Sequence, residues 1–132
     1  MPGRAIVAQE LAEIFGVLAH PDRIRIIEEL RAGEKDVHTL QEDLGAEQPR
    51  VSRHLALLRA RRMVQVRREG RHVYYRLTQS ELAGWIVEGL SFLEGLRGES
   101  ERSRKAVAQA RRLWSEKPSA AKRKRLDHGA PS

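Results

Sequence analysis

Cysteine is absent from the 132 residues. Disulfides, thiol nucleophiles, Fe–S clusters and thiolate metal sites are therefore excluded by composition, and the redox compartment cannot be read from cysteine usage. Aromatic residues are scarce at 5%, and the hydrophobic fraction of 40% is low beside the roughly 45–50% of an average globular chain. Part of the chain is thus expected to stay out of any core, and a dimer interface would supply the missing burial. No run approaches the about 18 uncharged apolar residues of a membrane span. The stretch Ala5–Leu18 is apolar, but Glu10 and Glu13 fall inside it and argue against a signal peptide. A soluble, intracellular chain is expected. Gly-rich phosphate loops, paired catalytic carboxylates and His-rich clusters are also missing. Ser52 and His54 lie two apart on one expected helix and point in different directions, so they make no nucleophile–base pair. The reading is of one small domain that is not an enzyme.

What is abundant is positive charge, and it is unevenly placed. The formal net charge is +7, and it comes entirely from residues 101–132, where ten Lys and Arg face three acids. The first 100 residues are balanced, with 15 of each sign, yet between Arg50 and Arg76 nine arginines face the single acid Glu69. These nine are Arg50, Arg53, Arg59, Arg61, Arg62, Arg67, Arg68, Arg71 and Arg76. A dipolar domain with one basic face is implied, and a polyanion is its natural partner.

Periodicity supplies the order of elements. Val7, Leu11, Ile14, Phe15 and Leu18 form one apolar stripe of a first helix. His20-Pro21-Asp22 then punctuates the chain, with Pro21 suited to the first position of a second helix. Ile24, Ile26, Ile27 and Leu30 give that helix its buried face, and Gly33 is placed to end it. A short third helix is read from Val37, Leu40 and Leu44, with Gly45 supplying a left-handed closing residue. Pro49 starts the fourth, in which Val51, Leu55 and Leu58 face inward. After Arg62 the period falls to two: Val64 and Val66, then Val73, Tyr75 and Leu77, flank Glu69-Gly70-Arg71 as a β-hairpin with a charged tip. Thr78-Gln-Ser-Glu81 has capping-box spacing and opens a last core helix carrying Leu82, Trp85, Ile86, Leu90, Leu93 and Leu96. That helix is apolar over too wide an arc for a surface helix, and Gly84, Gly89 and Gly95 within it suggest a close neighbour. A partner helix from a second subunit meets both demands.

The expected fold is mainly α with a small β-hairpin (α+β), in the order α-α-α-α-β-β-α, and dimeric. Residues 1–98 form a winged helix-turn-helix domain, residues 99–114 a possible extra helix, and residues 115–132, which include Lys122-Arg-Lys-Arg125, a disordered basic tail. Dimer-interface candidates are Val7, Leu11, Ile14, Leu82, Trp85, Ile86, Leu90 and Leu93.

Two short helices joined by a glycine-containing turn, followed directly by a basic hairpin, are the cue for a helix whose start enters the DNA major groove beside a wing. Gln48 offers an amide for adenine edges, and Arg50 and Arg53 carry forks that match guanine. Ser52, Arg59, Arg61, Arg62 and the wing residues Arg67, Arg68, Arg71 and His72 are placed for phosphates. His54 lies nearer the buried side and serves either as a structural hydrogen-bonding residue or as a DNA contact. The competing reading is a winged helix used for protein or RNA contacts without operator specificity. RNA recognition favours exposed aromatics for stacking, and Tyr74 is the one candidate.

These residues resemble the ArsR/SmtB family of bacterial winged-helix repressors. Leu18-Ala-His-Pro-Asp-Arg-Ile-Arg-Ile-Ile27 is similar to the start of the family's second helix, Gln48-Pro-Arg-Val-Ser-Arg-His-Leu-Ala-Leu-Leu58 to its recognition helix, and Arg71-His-Val-Tyr-Tyr-Arg-Leu77 to its second wing strand. The match covers about residues 6–96. The resemblance implies a homodimer, built through the first and last core helices, that binds a pseudo-palindromic double-stranded operator in a bacterial cytoplasm. Many members release DNA when an inducer binds, commonly a metal ion. The sequence departs from the family at those sites. Where metal-sensing members carry Cys-x-Cys, this chain has Asp36 and His38, too few ligands for a closed site. On the last core helix only the acids Glu81, Glu88 and Glu94 occur, and histidine is absent from Thr78 to Ala110. His20, His72 and His128 are isolated in sequence and read as non-ligands. No cofactor is expected, and the inducer is left open.

Overall fold

The computed structural model describes residues 2–97 and 101–115. Six α-helices and three short strands follow in the order α1 (Pro2–Leu18), α2 (Pro21–Glu29), a 3₁₀ turn (Leu30–Ala32), β1 (Lys35–Asp36), α3 (Val37–Leu44), α4 (Gln48–Ala60), β2 (Val64–Glu69), β3 (His72–Leu77), α5 (Glu81–Arg97) and α6 (Glu101–Ser115). The winged helix-turn-helix architecture is the one expected, and the basic tail beyond Ser115 lies outside the described residues.

The core is built by the residues that the helical period selected. Ile26 and Ile27 of α2, Leu40 of α3, and Val51, Leu55 and Leu58 of α4 are fully buried. Met63, Val64 and Ala83 close the cluster from β2 and α5. Truncating any one of the buried leucines to alanine typically costs about 2–5 kcal/mol, so this small cluster fixes how α4 sits on α2 and α3. The caps are local and specific. Pro21 occupies the first turn of α2, and the His20 imidazole accepts the Asp22 N–H at 3.1 Å. Asp36 caps α3 by accepting from Thr39 N at 2.7 Å, and Gly45, at φ 64°, ends it in the left-handed conformation.

Three expectations are revised. The hairpin is two-thirds of a three-stranded sheet in the order β1-β3-β2, with Lys35 opposite Tyr75 and Asp36 opposite Tyr74. A two-residue strand is too short to leave a period in the sequence. The last core helix begins at Glu81, not directly after Thr78, because the Thr78 N–H continues the sheet side of the chain by donating to the Met63 carbonyl at 3.0 Å. A Cβ placed on Gly84, Gly89 or Gly95 would meet nothing within 4 Å, so among the described residues no element of the chain itself fills the space beside these glycines, which were read as facing a second subunit. Leu90 is buried within the chain at 4% exposure and has little surface left for a partner. Val7, Leu11, Trp85 and Leu93 are exposed, together with Ile6, Phe15 and Phe92, and Ile14, Leu82 and Ile86 rest half-buried against the core. The additional helix is present as α6, which packs on α5.

Candidate nucleic-acid interface

Helix α4 presents its N-terminal and outer residues to solvent because Val51, Leu55 and Leu58 anchor its other face. Gln48, Arg50, Arg53 and Arg59 are exposed, and Ser52 and His54 are half-buried. The helix ends where Arg62 adopts φ 60°. Met63 N–H then donates back to the Leu58 carbonyl at 2.9 Å, the closing bond of a Schellman-type cap on a residue that is not glycine. In the wing, Glu69 faces His72 across a two-residue tip turned by Gly70, at φ 59°. Arg68, Arg71 and His72 are exposed there.

The nine arginines of the basic segment divide into two groups. Four are engaged within the chain. Arg50 Nε donates to Asp22 Oδ2 at 2.5 Å, Arg61 lies 3.8 Å from Glu13, and Arg76 donates to Gln65 at 3.0 Å. Arg67 is held by Glu34 at 2.5 Å and by Glu69, above the Tyr74 ring at 4.6 Å from its centroid. These two carboxylates push the Arg67 guanidinium pKa further above its ordinary range. The remaining five, Arg53, Arg59, Arg62, Arg68 and Arg71, are exposed and have no side-chain partner among the described residues. Sequence counting treats all nine alike. It gave no sign that Asp22, Glu34 and Glu69 would take two of them, since the Asp22–Arg50 and Glu34–Arg67 pairs join residues far apart in the chain.

The half-buried His54 is held at both ring nitrogens within the chain. Its Nδ1 accepts from Arg23 Nε at 3.2 Å, and its Nε2 stands 3.3 Å from Asp22 Oδ2. His20, read as isolated, is its neighbour, with ring centroids 4.4 Å apart. Burial, followed by the nearby His20, lowers the His54 pKa. The hydrogen bond from Arg50 lowers that of Asp22 against the opposing effect of burial, so this buried acid is a carboxylate near neutrality. Tyr74 is 3% exposed, which removes it as a stacking platform for RNA bases.

Asp36 and His38, the pair singled out by the resemblance, both have partners within the chain. Asp36 caps α3 and lies 3.8 Å from His72, while His38 pairs with Glu42 one turn along at 2.8 Å. Among the described residues no helix is long and apolar enough to cross a membrane.

A family model described as bacterial regulatory protein, arsR family, matches residues 20–66, the stretch from the α2 cap through α4 into β2. A biofilm growth-associated repressor of Agrobacterium fabrum is 35% identical over 90 residues, covering 68% of this chain and 76% of its own length. The transcriptional repressor SmtB of Mycobacterium tuberculosis is 39% identical over 79 residues, covering 60% of this chain and 58% of its own length. The chain thus matches about three fifths of the length of such relatives. Among solved structures, the homodimeric winged helix-turn-helix DNA-binding domain Mb0332 of Mycobacterium bovis superposes with a TM-score of 0.61 at 25% identity, over 74% of this chain and 92% of that one. The order of helices, the wing, and the kinship at the second helix and at α4 converge: the chain belongs to the ArsR family of bacterial regulatory proteins.

Proposed function

We propose that this chain is a homodimeric, sequence-reading regulator of transcription that binds double-stranded DNA as a repressor in the bacterial cytoplasm. The observation that carries the reading is the placement of the five unpartnered arginines. All of them lie on α4, at its end, or at the wing tip. Those are the elements that enter the major groove and flank it in a winged helix-turn-helix. An exposed guanidinium with no carboxylate partner has no ion pair to break before it meets a phosphate, whereas Arg50 and Arg67 must first leave theirs. Gln48 and Arg53 are therefore assigned to base edges, and Arg59, Arg62, Arg68 and Arg71 to the backbone.

The repressor role is carried over from the relatives that bear that name, and the dimer from the family. The exposed apolar face of α1 and α5, which includes Phe15 at 56% and Trp85 at 52% exposure, is the surface such a dimer would cover. Two recognition helices related by that axis read a pseudo-palindrome in successive major grooves, about 34–36 Å apart. No residue set for catalysis accompanies this surface, and the chain acts by occupancy of DNA.

Selection of bound sequences from a random duplex library tests the proposal. A two-fold symmetric consensus is expected, and Arg53→Ala is expected to weaken binding to it by about 1–3 kcal/mol while leaving random duplex nearly unaffected. Equal losses on both DNAs would remove Arg53 as the reader. Enrichment of no sequence at all would move the surface to protein or RNA partners.

A further inference from the structure

His20, Asp22 and His54 meet where the start of α2 touches the middle of α4. One donor atom from each, two imidazole nitrogens and a carboxylate oxygen, lies within 4.8 Å of the other two. Among the described residues no other trio of histidine and acidic side chains is gathered in this way. His54 Nε2 and Asp22 Oδ2 are already 3.3 Å apart, close to the roughly 3.4 Å edge between two ligands of a tetrahedral ion with bonds of about 2.0–2.1 Å. Two imidazoles with one carboxylate suit borderline divalent ions such as Zn²⁺, Co²⁺ or Ni²⁺ better than the hard Mg²⁺ or Ca²⁺.

An ion would have to compete with the hydrogen bonds that hold the cluster, in which His54 accepts at Nδ1 and therefore carries its proton on the Nε2 that faces Asp22. Arg50 Nε donates to Asp22 Oδ2 at 2.5 Å, Arg23 Nε to His54 Nδ1 at 3.2 Å, and Asp22 N–H to His20 Nδ1 at 3.1 Å. Arg23 has a second anchor in the Val17 carbonyl at 2.8 Å. Arg50 has none, and its side chain is 54% exposed. It is the cation most readily displaced.

We propose that His20, Asp22 and His54 bind a borderline divalent transition cation, which takes the place of Arg50 at Asp22 and of the proton on His54 Nε2; the proton passes to Nδ1, Arg23 gives up that nitrogen while keeping the Val17 carbonyl, and Arg50 is released to the outer surface of α4. Water completes the coordination, as in open three-ligand sites. The exchange adds charge beside the recognition helix and frees a guanidinium next to Gln48. Both changes favour phosphate. The ion therefore strengthens DNA binding, and by linkage DNA strengthens ion binding by the same factor. This consequence rests on the DNA reading above, whereas the site itself does not.

The test is calorimetric titration of the full chain with ZnCl₂ and with CoCl₂ in metal-free buffer, without DNA. One ion per chain is expected. His54→Gln and His20→Ala should each weaken binding at least about tenfold, His38→Gln and His72→Gln should not, and Arg50→Ala should tighten it several-fold because the competing guanidinium is gone. Circular dichroism melts of the metal-free variants identify any that fail to fold. Absence of stoichiometric binding up to about 100 μM ion, or binding that survives both His20→Ala and His54→Gln, overturns the site. A second arm measures anisotropy of a mixed-sequence duplex at fixed salt. Saturating Zn²⁺ should tighten binding by wild type about five- to tenfold and leave His54→Gln unchanged. An unmoved DNA affinity overturns the exchange with Arg50. If the chain binds no duplex with or without the ion, the DNA reading fails and the isotherms alone decide the site.

Discussion

Lys35 is the residue whose removal should most disturb the helix-turn-helix without touching its DNA-facing surface. It is 4% exposed, and its Nζ lies 2.7 Å from Glu29 Oε2 and 2.5 Å from Asp43 Oδ2. One cation thereby joins the end of α2 to the end of α3. Burial presses its pKa down, but the hydrogen bonds to Asp43 and Glu29 outweigh this, and it is raised above the ordinary 10.5. Lys35→Met keeps the apolar stem and deletes the charge, leaving two carboxylates that face each other uncompensated. Breaking a fully buried pair costs about 3–5 kcal/mol. Here the acids retain 18% and 23% of their side-chain exposure, so water screens part of the repulsion and about 2–3 kcal/mol is expected. At roughly 4 °C per kcal/mol for a domain of this size, Tm should fall by about 10 °C. The pH dependence follows from the direction of the shift. A raised lysine pKa means that the contribution is fully present below 10.5 and is lost only as pH rises through the higher folded value. The gap between wild type and variant should therefore be flat from about pH 6 to 9. Urea unfolding at several pH values measures both the size of the gap and its flatness. A loss below about 1 kcal/mol at pH 7, or a gap that changes between about pH 6 and 9, would refute the reasoning.

Four other variants separate the remaining claims. Arg62→Gly relieves a left-handed residue that costs an L side chain about 1–2 kcal/mol, less the extra freedom of glycine when unfolded. Stability should rise by about 0.5–1 kcal/mol while DNA affinity falls, and a variant that loses both would mean that the Arg62 side chain holds the cap. Arg68→Ala should reduce the slope of log affinity against log salt by about one, whereas Arg67→Ala, whose charge is already balanced by Glu34 and Glu69, should leave it nearly unchanged; equal slopes would contradict the division of the arginines. Phe15→Glu combined with Trp85→Glu should give a folded monomer by light scattering. A persistent dimer would place the two-fold axis elsewhere.

Much of this molecule was legible in the order of its residues. The buried sets Ile26-Ile27, Leu40 and Val51-Leu55-Leu58 carry the helical period, and Gly45 and Gly70 mark two of the turns that adopt positive φ. What periodicity cannot show is a strand of two residues, because Lys35 and Asp36 are recruited by the free edge of β3 and not by their own pattern. Nor can it show which charges are already paired. Arg50 and Arg53 look equivalent on a helical wheel, yet only Arg50 lies within reach of an acid that α2 delivers from 28 residues away. His20 and His54 likewise become neighbours only once α2 packs on α4.

The short β1 strand has a mechanical meaning. Its pairing with Tyr74 and Tyr75 fastens the residue that caps α3 to the inner strand of the wing. The wing is therefore not a free arm hinged at Leu77. Its inner strand shares a frame with the turn that precedes α4. Under the DNA reading proposed above, a signal that changes the fit would act on that frame as a whole or on individual side chains of α4. Bending the wing would first require the bonds between β1 and β3 to break.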